Sequence, residues 1–206
     1  MWDLPPPDPG IEISVATRGM SKGISQTDGA QFIPKAFVQF GSVQVGGQWK
    51  NLTSPVVDGE AATFVSYSPK VGPWQLTFGV TYKFQTNVKA KIDDDCLELS
   101  FGASRKFGKV SVKGSGIYSP DDVGSARRSL YVESGVSYDL DKDTRLSANV
   151  GHRSRVAGPN YTSFNAGVSR TLLKRIVLDL RYFDTAQSEL GENYRGRFVL
   201  SGRLGL

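Results

Sequence analysis

The chain has 206 residues, 39% of them hydrophobic and 11% aromatic, with 23 Gly and 10 Pro. That length suits one sizeable domain or two small ones; no apolar run approaches the ~20 residues of a membrane-spanning helix, and the lone Cys96 excludes an internal disulfide. A formal charge of +5 admits nucleic acid, anionic lipid or small anions as partners without choosing among them.

The opening MWDLPPPDPG lacks the basic start and apolar stretch of a secretory signal, so an exported protein would be in its mature form here. Its consecutive prolines predict an extended, periplasmic lead-in over residues 1–10. Beyond it, helical periodicity is absent. Period-2 segments recur instead at the even spacing of a sandwich or barrel. Twelve strands are predicted: 11–19, 31–40, 43–51, 60–68, 73–85, 96–105, 109–118, 128–140, 144–155, 160–170, 175–184 and 193–206. The first sets Ile11, Ile13 and Val15 against Glu12, Ser14 and Arg18. The fifth, WQLTFGVTYKF, places Trp74, Leu76, Phe78, Val80, Tyr82 and Phe84 on one face, because neighbouring strand side chains point to opposite sides. In the sixth, Leu97, Leu99, Phe101 and Ala103 oppose Cys96, Glu98 and Ser100; in the eleventh, Ile176, Leu178, Leu180 and Tyr182 oppose Asp179 and Arg181. The second and fourth alternate less cleanly, since Phe37 and Phe64 fall on the polar face.

The connections differ by end. GMSKGISQTDGA, LTSPVVDG, QTNVKAKIDDD, SPDDVGSAR, VAGPN and DTAQSELGEN follow odd-numbered strands; GS, SPKVG, RKFG, LDKD and RTLLKR follow even-numbered ones. Bacterial transmembrane barrels combine an even strand number with short periplasmic turns and longer extracellular loops. Most segments also reach the length of about 9–11 residues that crosses the hydrocarbon. A soluble sandwich has no reason to sort loops by end and leaves sheet edges open, whereas closure removes them. Trp49, Trp74, Tyr82, Tyr138, Tyr182 and Tyr194 near strand ends suit interfacial girdles. The pattern therefore predicts a single all-β, antiparallel, up-and-down transmembrane barrel of about twelve strands over residues 11–206, with both termini periplasmic. The competing class is a basic β-sandwich binding nucleic acid or glycan, supported by the charge and the aromatics.

The first long loop and its flanks read ATRGMSKGISQTDGAQFIP, and the chain closes LDLRYFDTAQSELGENYRGRFVLSGRLGL. Both stretches resemble the TorF family of proteobacterial porins, through its "RGISQTDG…P" opening and its RYFDT closing strands. Arg18, Gly19, Gly23, Ile24, Ser25, Gln26, Thr27, Asp28, Gly29 and Pro34 carry the opening match; "MSK" is inserted relative to it, and the middle of the chain matches only in rhythm. The resemblance implies an outer-membrane β-barrel. Such barrels generally end in an aromatic residue, whereas this sequence ends in Leu206.

With the apolar faces in lipid, the intervening residues point into the barrel. The predicted lumen lining is Arg18, Lys35, Lys50, Lys83, Lys113, Arg145, Arg153, Arg181, Arg195, Arg197 and Arg203 against Glu12, Glu98, Glu133, Asp139 and Asp179, with Arg195, Arg197 and Arg203 on one strand. Rings of Arg or Lys favour anions, and charge on a low-dielectric wall concentrates them. The same residues could instead pair across strands and plug the barrel. Eight strands leave a filled interior and sixteen an aqueous channel, so twelve leaves both outcomes open: a channel for small, anionic solutes, or a non-conducting structural or partner-binding barrel.

Other chemistry has little support. Asp93, Asp94 and Asp95 could hold a divalent cation, but such runs are more often solvated loops. Phosphate-cradling glycine loops and metal-ligand spacings are absent. His152 and Ser154 share the lipid-facing side of one strand, which resembles the His-x-Ser pair of outer-membrane phospholipase and lipid A deacylase. There a third group orients the imidazole, twelve residues beyond the serine. Here that position is Ala166, Asn165 should point inward, and Asn160 lies in the hairpin connection. The sequence therefore predicts no enzyme and no cofactor. Its expected partners are outer-membrane lipid, lipopolysaccharide and small solutes rather than nucleic acid.

Overall fold

Alternation along each ribbon decides which side faces the barrel axis, and pairing in chain order then closes the ring. The computed structural model describes residues 5–124 and 126–206. It contains β1 (Asp8–Ala16), β2 (Gln31–Phe40), β3 (Val43–Asn51), β4 (Gly59–Tyr67), β5 (Trp74–Thr86), β6 (Asp95–Phe107), β7 (Val110–Asp122), β8 (Arg127–Asp139), β9 (Thr144–Arg155), β10 (Tyr161–Leu172), β11 (Ile176–Asp184) and β12 (Arg197–Gly205). Each strand pairs antiparallel with its chain neighbours, and β1 closes the barrel on β12 from Glu12↔Gly205 to Ala16↔Ser201. The predicted twelve-stranded antiparallel barrel is the observed fold.

Boundaries moved where local chemistry overrode the pattern. Asp8, Pro9 and Gly10, assigned by sequence to the lead-in, pair with Gln39, Val38 and Phe37 of β2. Residues 1–4 of that lead-in lie outside the described residues. The expected loop SPDDVGSAR shortens to 123–126, because β7 continues through a register shift between Ser119 and Asp122. A bulge is where Pro120, which cannot donate to the ladder, is tolerated. The remaining connections at that end are 17–30, 52–58, 87–94, 156–160 and 185–196; at the other end they are 41–42, 68–73, 108–109, 140–143 and 173–175. Two tight turns rest on left-handed glycines, Gly41 (φ 57°) and Gly108 (φ 60°), as two-residue hairpins require. In another, Asp141 Oδ1 accepts the backbone N–H groups of Asp143 and Thr144, both at 2.8 Å, and these bonds hold its carboxyl below the usual range.

The burial pattern is inside-out. Among the described residues, the buried hydrophobics are Val57, Ala62, Cys96, Tyr131, Tyr161 and Val199, whereas Lys50, Glu60, Glu98, Asp122 and Asn165 are also buried. Large apolar side chains cover the outside: Phe78 is 48% exposed, Phe101 52% and Leu180 47%. Apolar surface of that extent is unstable against water, so the exterior is solvated by hydrocarbon. Among the described residues no helix is long and apolar enough to cross a membrane; the strands do so. Trp49, Trp74, Tyr82, Tyr138 and Tyr182 are exposed near strand ends, as expected for girdles. Tyr194 is not on a strand: it sits in the last loop, edge-on to Tyr161 at 5.2 Å between ring centroids.

Val80, midway along β5, faces outward. Val80→Arg should therefore cost about 2–4 kcal/mol, the penalty for a cation at the midplane of a bilayer. Reversible urea unfolding in phospholipid vesicles measures it, and a loss under about 1 kcal/mol would place Val80 in water or at the interface.

Candidate functional site

Side chains two strands apart can meet only on the concave side of a closed sheet, because the backbones there lie roughly 10 Å apart. Such contacts define the lumen. Lys106 Nζ on β6 reaches Asp139 Oδ2 on β8 at 2.6 Å, and Arg181 Nη2 on β11 donates to Ser147 Oγ on β9 at 2.8 Å. Arg153 on β9 pairs with Asp122 on β7, and Tyr131 on β8 lies 3.3 Å from Ser163 Oγ on β10.

The tight-turn half of the lumen is wet and charged. Lys113 pairs with Glu133 at 2.9 Å, Arg181 with Asp179 at 3.0 Å and Arg203 with Glu12 at 3.8 Å. Asp139 is shared by Lys106 and Arg145, each at 2.6 Å. Lys35 has no carboxylate within ion-pair distance among the described residues. Its Nζ donates to Gln44 Oε1 at 3.3 Å and lies 5.1 and 4.9 Å from the ring centroids of Phe37 and Phe64. Those two aromatics thus break the outer alternation because they stack inward on a cation. Gly46 makes room for them, since a Cβ there would collide with both. A cavity of about 420 Å³ borders Lys113, Arg145, Asn149 and Arg181; another of about 430 Å³ borders Asp179 and Arg203.

The long-loop half is packed by the segment joining β1 to β2. Met20–Ser21 and Ile24–Ser25 pair as a miniature hairpin whose tip, Lys22–Gly23, has positive φ at both residues (49° and 84°). This is the geometry of a two-residue type I′ turn. The tip points into the barrel. Lys22 Nζ meets Glu98 Oε1 of β6 at 2.6 Å, the Tyr161 hydroxyl of β10 donates to the Lys22 carbonyl at 2.9 Å, and Gly23 lies against Ser163. Burial pulls the Lys22 ammonium below the ordinary lysine range, with Glu98 opposing the shift. Behind the tip, Thr27 Oγ1 accepts from Gly19 N at 2.7 Å and donates to the Gly29 carbonyl at 2.6 Å, while Gln26 accepts from Lys50 Nζ at 2.7 Å. A ladder of pairs lines the wall beneath it: Lys50–Glu60 at 3.1 Å, Lys83–Glu98 at 2.7 Å and Lys83–Glu60 at 3.9 Å.

Two of the residues assigned to the lumen lie elsewhere. Arg18 is in the first loop, donating to the Asp28 carbonyl at 2.7 Å, because β1 ends at Ala16. Arg195 is in the last loop beside Glu192, at 2.9 Å, because β12 begins only at Arg197; of the three arginines expected on one strand, Arg197 and Arg203 share β12 and Arg195 does not. Arg197 is tucked under that loop, donating to the carbonyls of Arg195 and Glu192. Apart from Arg197, the others line the inner wall together with four residues that the sequence reading omitted: Lys22, Glu60, Lys106 and Asp122. Lys106 continues the alternation one residue past the expected strand end, whereas Asp122 turns inward only because the register shift after Ser119 reverses the alternation. Lys22 carries no periodic signal at all.

The remaining sequence candidates do not assemble a reaction centre. His152 and Ser154 face outward, but His152 Nδ1 bonds Thr162 Oγ1 at 3.0 Å rather than the serine. Ala166 faces outward, and inward-facing Asn165 is engaged by Asn149 and Arg181. In the acidic loop, Asp95 accepts from the Tyr82 hydroxyl; Asp93 and Asp94 contribute their carbonyls to Gly124 N and Gln85 N. Cys96, Glu98 and Asp122 bring potential ligand atoms within 4.8 Å of one another. Lys22, Lys83 and Arg153 already neutralise the two carboxylates, however, and oppose a further cation.

A closed antiparallel barrel with a lipid-facing exterior and a charged lumen is a transmembrane β-barrel of the outer-membrane kind. The chain belongs to the Gram-negative porin family, whose profile matches residues 22–189. Among solved structures it is similar to the KdgM porin, with a TM-score of 0.68, 10% identity and coverage of 95% of this chain and 98% of that one. The KdgM porin in complex with disordered oligogalacturonate gives a TM-score of 0.69 at 10% identity over 95% and 98% of the two chains, and the NanC porin gives 0.63 at 10% identity over 95% and 97%. No curated protein matches in sequence. The protein is thus a non-enzymatic outer-membrane channel for small solutes.

The Asp122 side chain is 4% exposed and held by Arg153, Ser129 Oγ at 2.6 Å and Val123 N at 3.0 Å. Arg153→Met should lower stability by about 3 kcal/mol, the cost of leaving a buried charge without its partner. Adding Asp122→Asn should recover most of the loss. Urea titration in detergent micelles reads both, and a single-variant loss under about 1 kcal/mol would mean that lumen water solvates the carboxylate.

Proposed function

We propose that small anionic solutes are the cargo, passing by diffusion through a narrow, net-positive lumen. One observation carries this reading. Lys22, Lys35, Lys50, Lys83, Lys106, Lys113, Arg145, Arg153, Arg181 and Arg203, ten cations, face seven carboxylates: Glu12, Glu60, Glu98, Asp122, Glu133, Asp139 and Asp179. The surplus of three falls on Lys35, which has no acid of its own, and on Asp139 and Glu98, each of which serves two cations. In a low-dielectric wall that surplus raises local anion concentration, as basic rings do in anion pores. No bond is made or broken, and no cofactor or nucleic acid enters the mechanism. The bound oligogalacturonate of the KdgM complex, a polyanionic saccharide in a barrel of this fold, supports the same solute class. The apolar exterior is matched to outer-membrane lipid and lipopolysaccharide. The narrower assignment to the TorF family draws on the opening run Gly23–Gly29 and on Arg18 and Pro34.

A second reading, a barrel that does not conduct, draws on the first loop filling the long-loop half of the lumen. Planar-bilayer recordings separate the two. Under a potassium chloride gradient the reversal potential should show chloride preference, and Lys35→Glu with Lys113→Glu should move it towards cations. Cation preference of the unmodified protein would overturn the proposal; absence of current at all salts and voltages would favour the second reading.

A further inference from the structure

We infer that the Lys22–Gly23 hairpin tip is the constriction of this pore and that the Lys22–Glu98 ion pair is the latch setting its bore; the inference rests on the channel reading above. The tip leaves the wall between β1 and β2, yet its contacts lie on β6, through Glu98, and on β10, through Tyr161 and Ser163. Those strands stand on different sides of a twelve-membered ring, so the hairpin crosses the bore.

Side-chain exposure locates the narrow zone independently. At the tip, Lys22 is 7% and Glu98 8% exposed; towards the tight turns, Lys106 is 58% and Lys113 50% exposed. The lumen is therefore a funnel, wide at the tight-turn end and closed down where the hairpin sits.

The attachment is uneven, which makes the tip a movable part. Its base is fixed by backbone bonds, Gln26 N to the Gly19 carbonyl at 2.8 Å and Thr53 N to the Gln26 carbonyl at 3.0 Å. The tip itself is held across the bore by two polar contacts, one charged and one neutral. Glu98 is shared, since Lys83 takes its other oxygen at 2.7 Å. Loss of Lys22 would thus leave Glu98 paired and the wall intact, while freeing the tip. Conversely, an acidic side chain at position 22 would face Glu98 and be pushed out of the bore.

The test is the size limit of the pore, read from which neutral polyethylene glycols enter it and lower its conductance. That readout is blind to the charge introduced. Lys22→Glu, and separately replacement of Met20–Ser25 by a short Gly-Ser linker, should each raise the size limit and increase conductance by about two-fold or more, since the hairpin is two strands wide in a narrow twelve-stranded bore. Combining Lys22→Glu with Glu98→Lys should return both values towards those of the unmodified protein. Heat-modifiable migration confirms that each variant has folded; Lys22→Met replaces Lys22→Glu if the latter has not. A silent unmodified protein whose Lys22 variant conducts would also support the latch. If the unmodified protein conducts and neither change moves its size limit, the latch is refuted while the channel stands. If nothing conducts, the channel reading itself fails.

Discussion

Backbone hydrogen bonding in hydrocarbon is the constraint from which this architecture follows. A peptide group that crosses lipid has no water to bond, and each unsatisfied donor or acceptor costs several kcal/mol, roughly. The meander pairs each strand with its chain neighbours, and β1 closes on β12, so no strand edge is left. Once the ring is closed, period-2 alternation sorts the side chains without further instruction. Leu97, Leu99 and Phe101 are outside because Cys96, Glu98 and Ser100 are inside.

That sorting gives the protein an electrostatic interior where a soluble domain has an apolar one. Groups such as Glu60, Glu98 and Asp122 are buried almost completely, and a lone buried charge is costly. Each is matched to at least one ammonium or guanidinium, so the lumen is held together by mutual neutralisation. Matching is tightest beneath the first loop and loosest near the tight turns, where charged side chains stand in solvent. The same charges therefore give rigidity at one end of the barrel and attraction for ions at the other. Paired charges cancel at a distance, so the proposed anion preference rests on the few cations left over, with Lys35 foremost.

Much of the fold was legible because alternation is a strong signal and lipid does not blur it. Trp74 to Phe84 needed no tertiary information to be oriented. The errors came where local chemistry outweighed pattern. Pro120 reads as a loop residue, yet a bulge carries it within β7. Phe37 and Phe64 look like faults in the pattern until Lys35 is seen between them. Arg18 and Arg195 keep a strand-like spacing beyond the points where pairing stops. The first loop was the least readable part: Lys22 finds Glu98 seventy-six positions away, a contact that no local periodicity encodes.

Accessibility of single cysteines along β6 tests most directly whether hydrocarbon covers one face of these strands and water the other. In a Cys96→Ser background refolded into vesicles, Ser100→Cys and Ser104→Cys should react with a small, charged, membrane-impermeant thiol reagent. Leu99→Cys and Phe101→Cys should resist it and react only with a lipid-soluble one. Rapid aqueous labelling of positions 99 and 101, with 100 and 104 protected, would contradict the account.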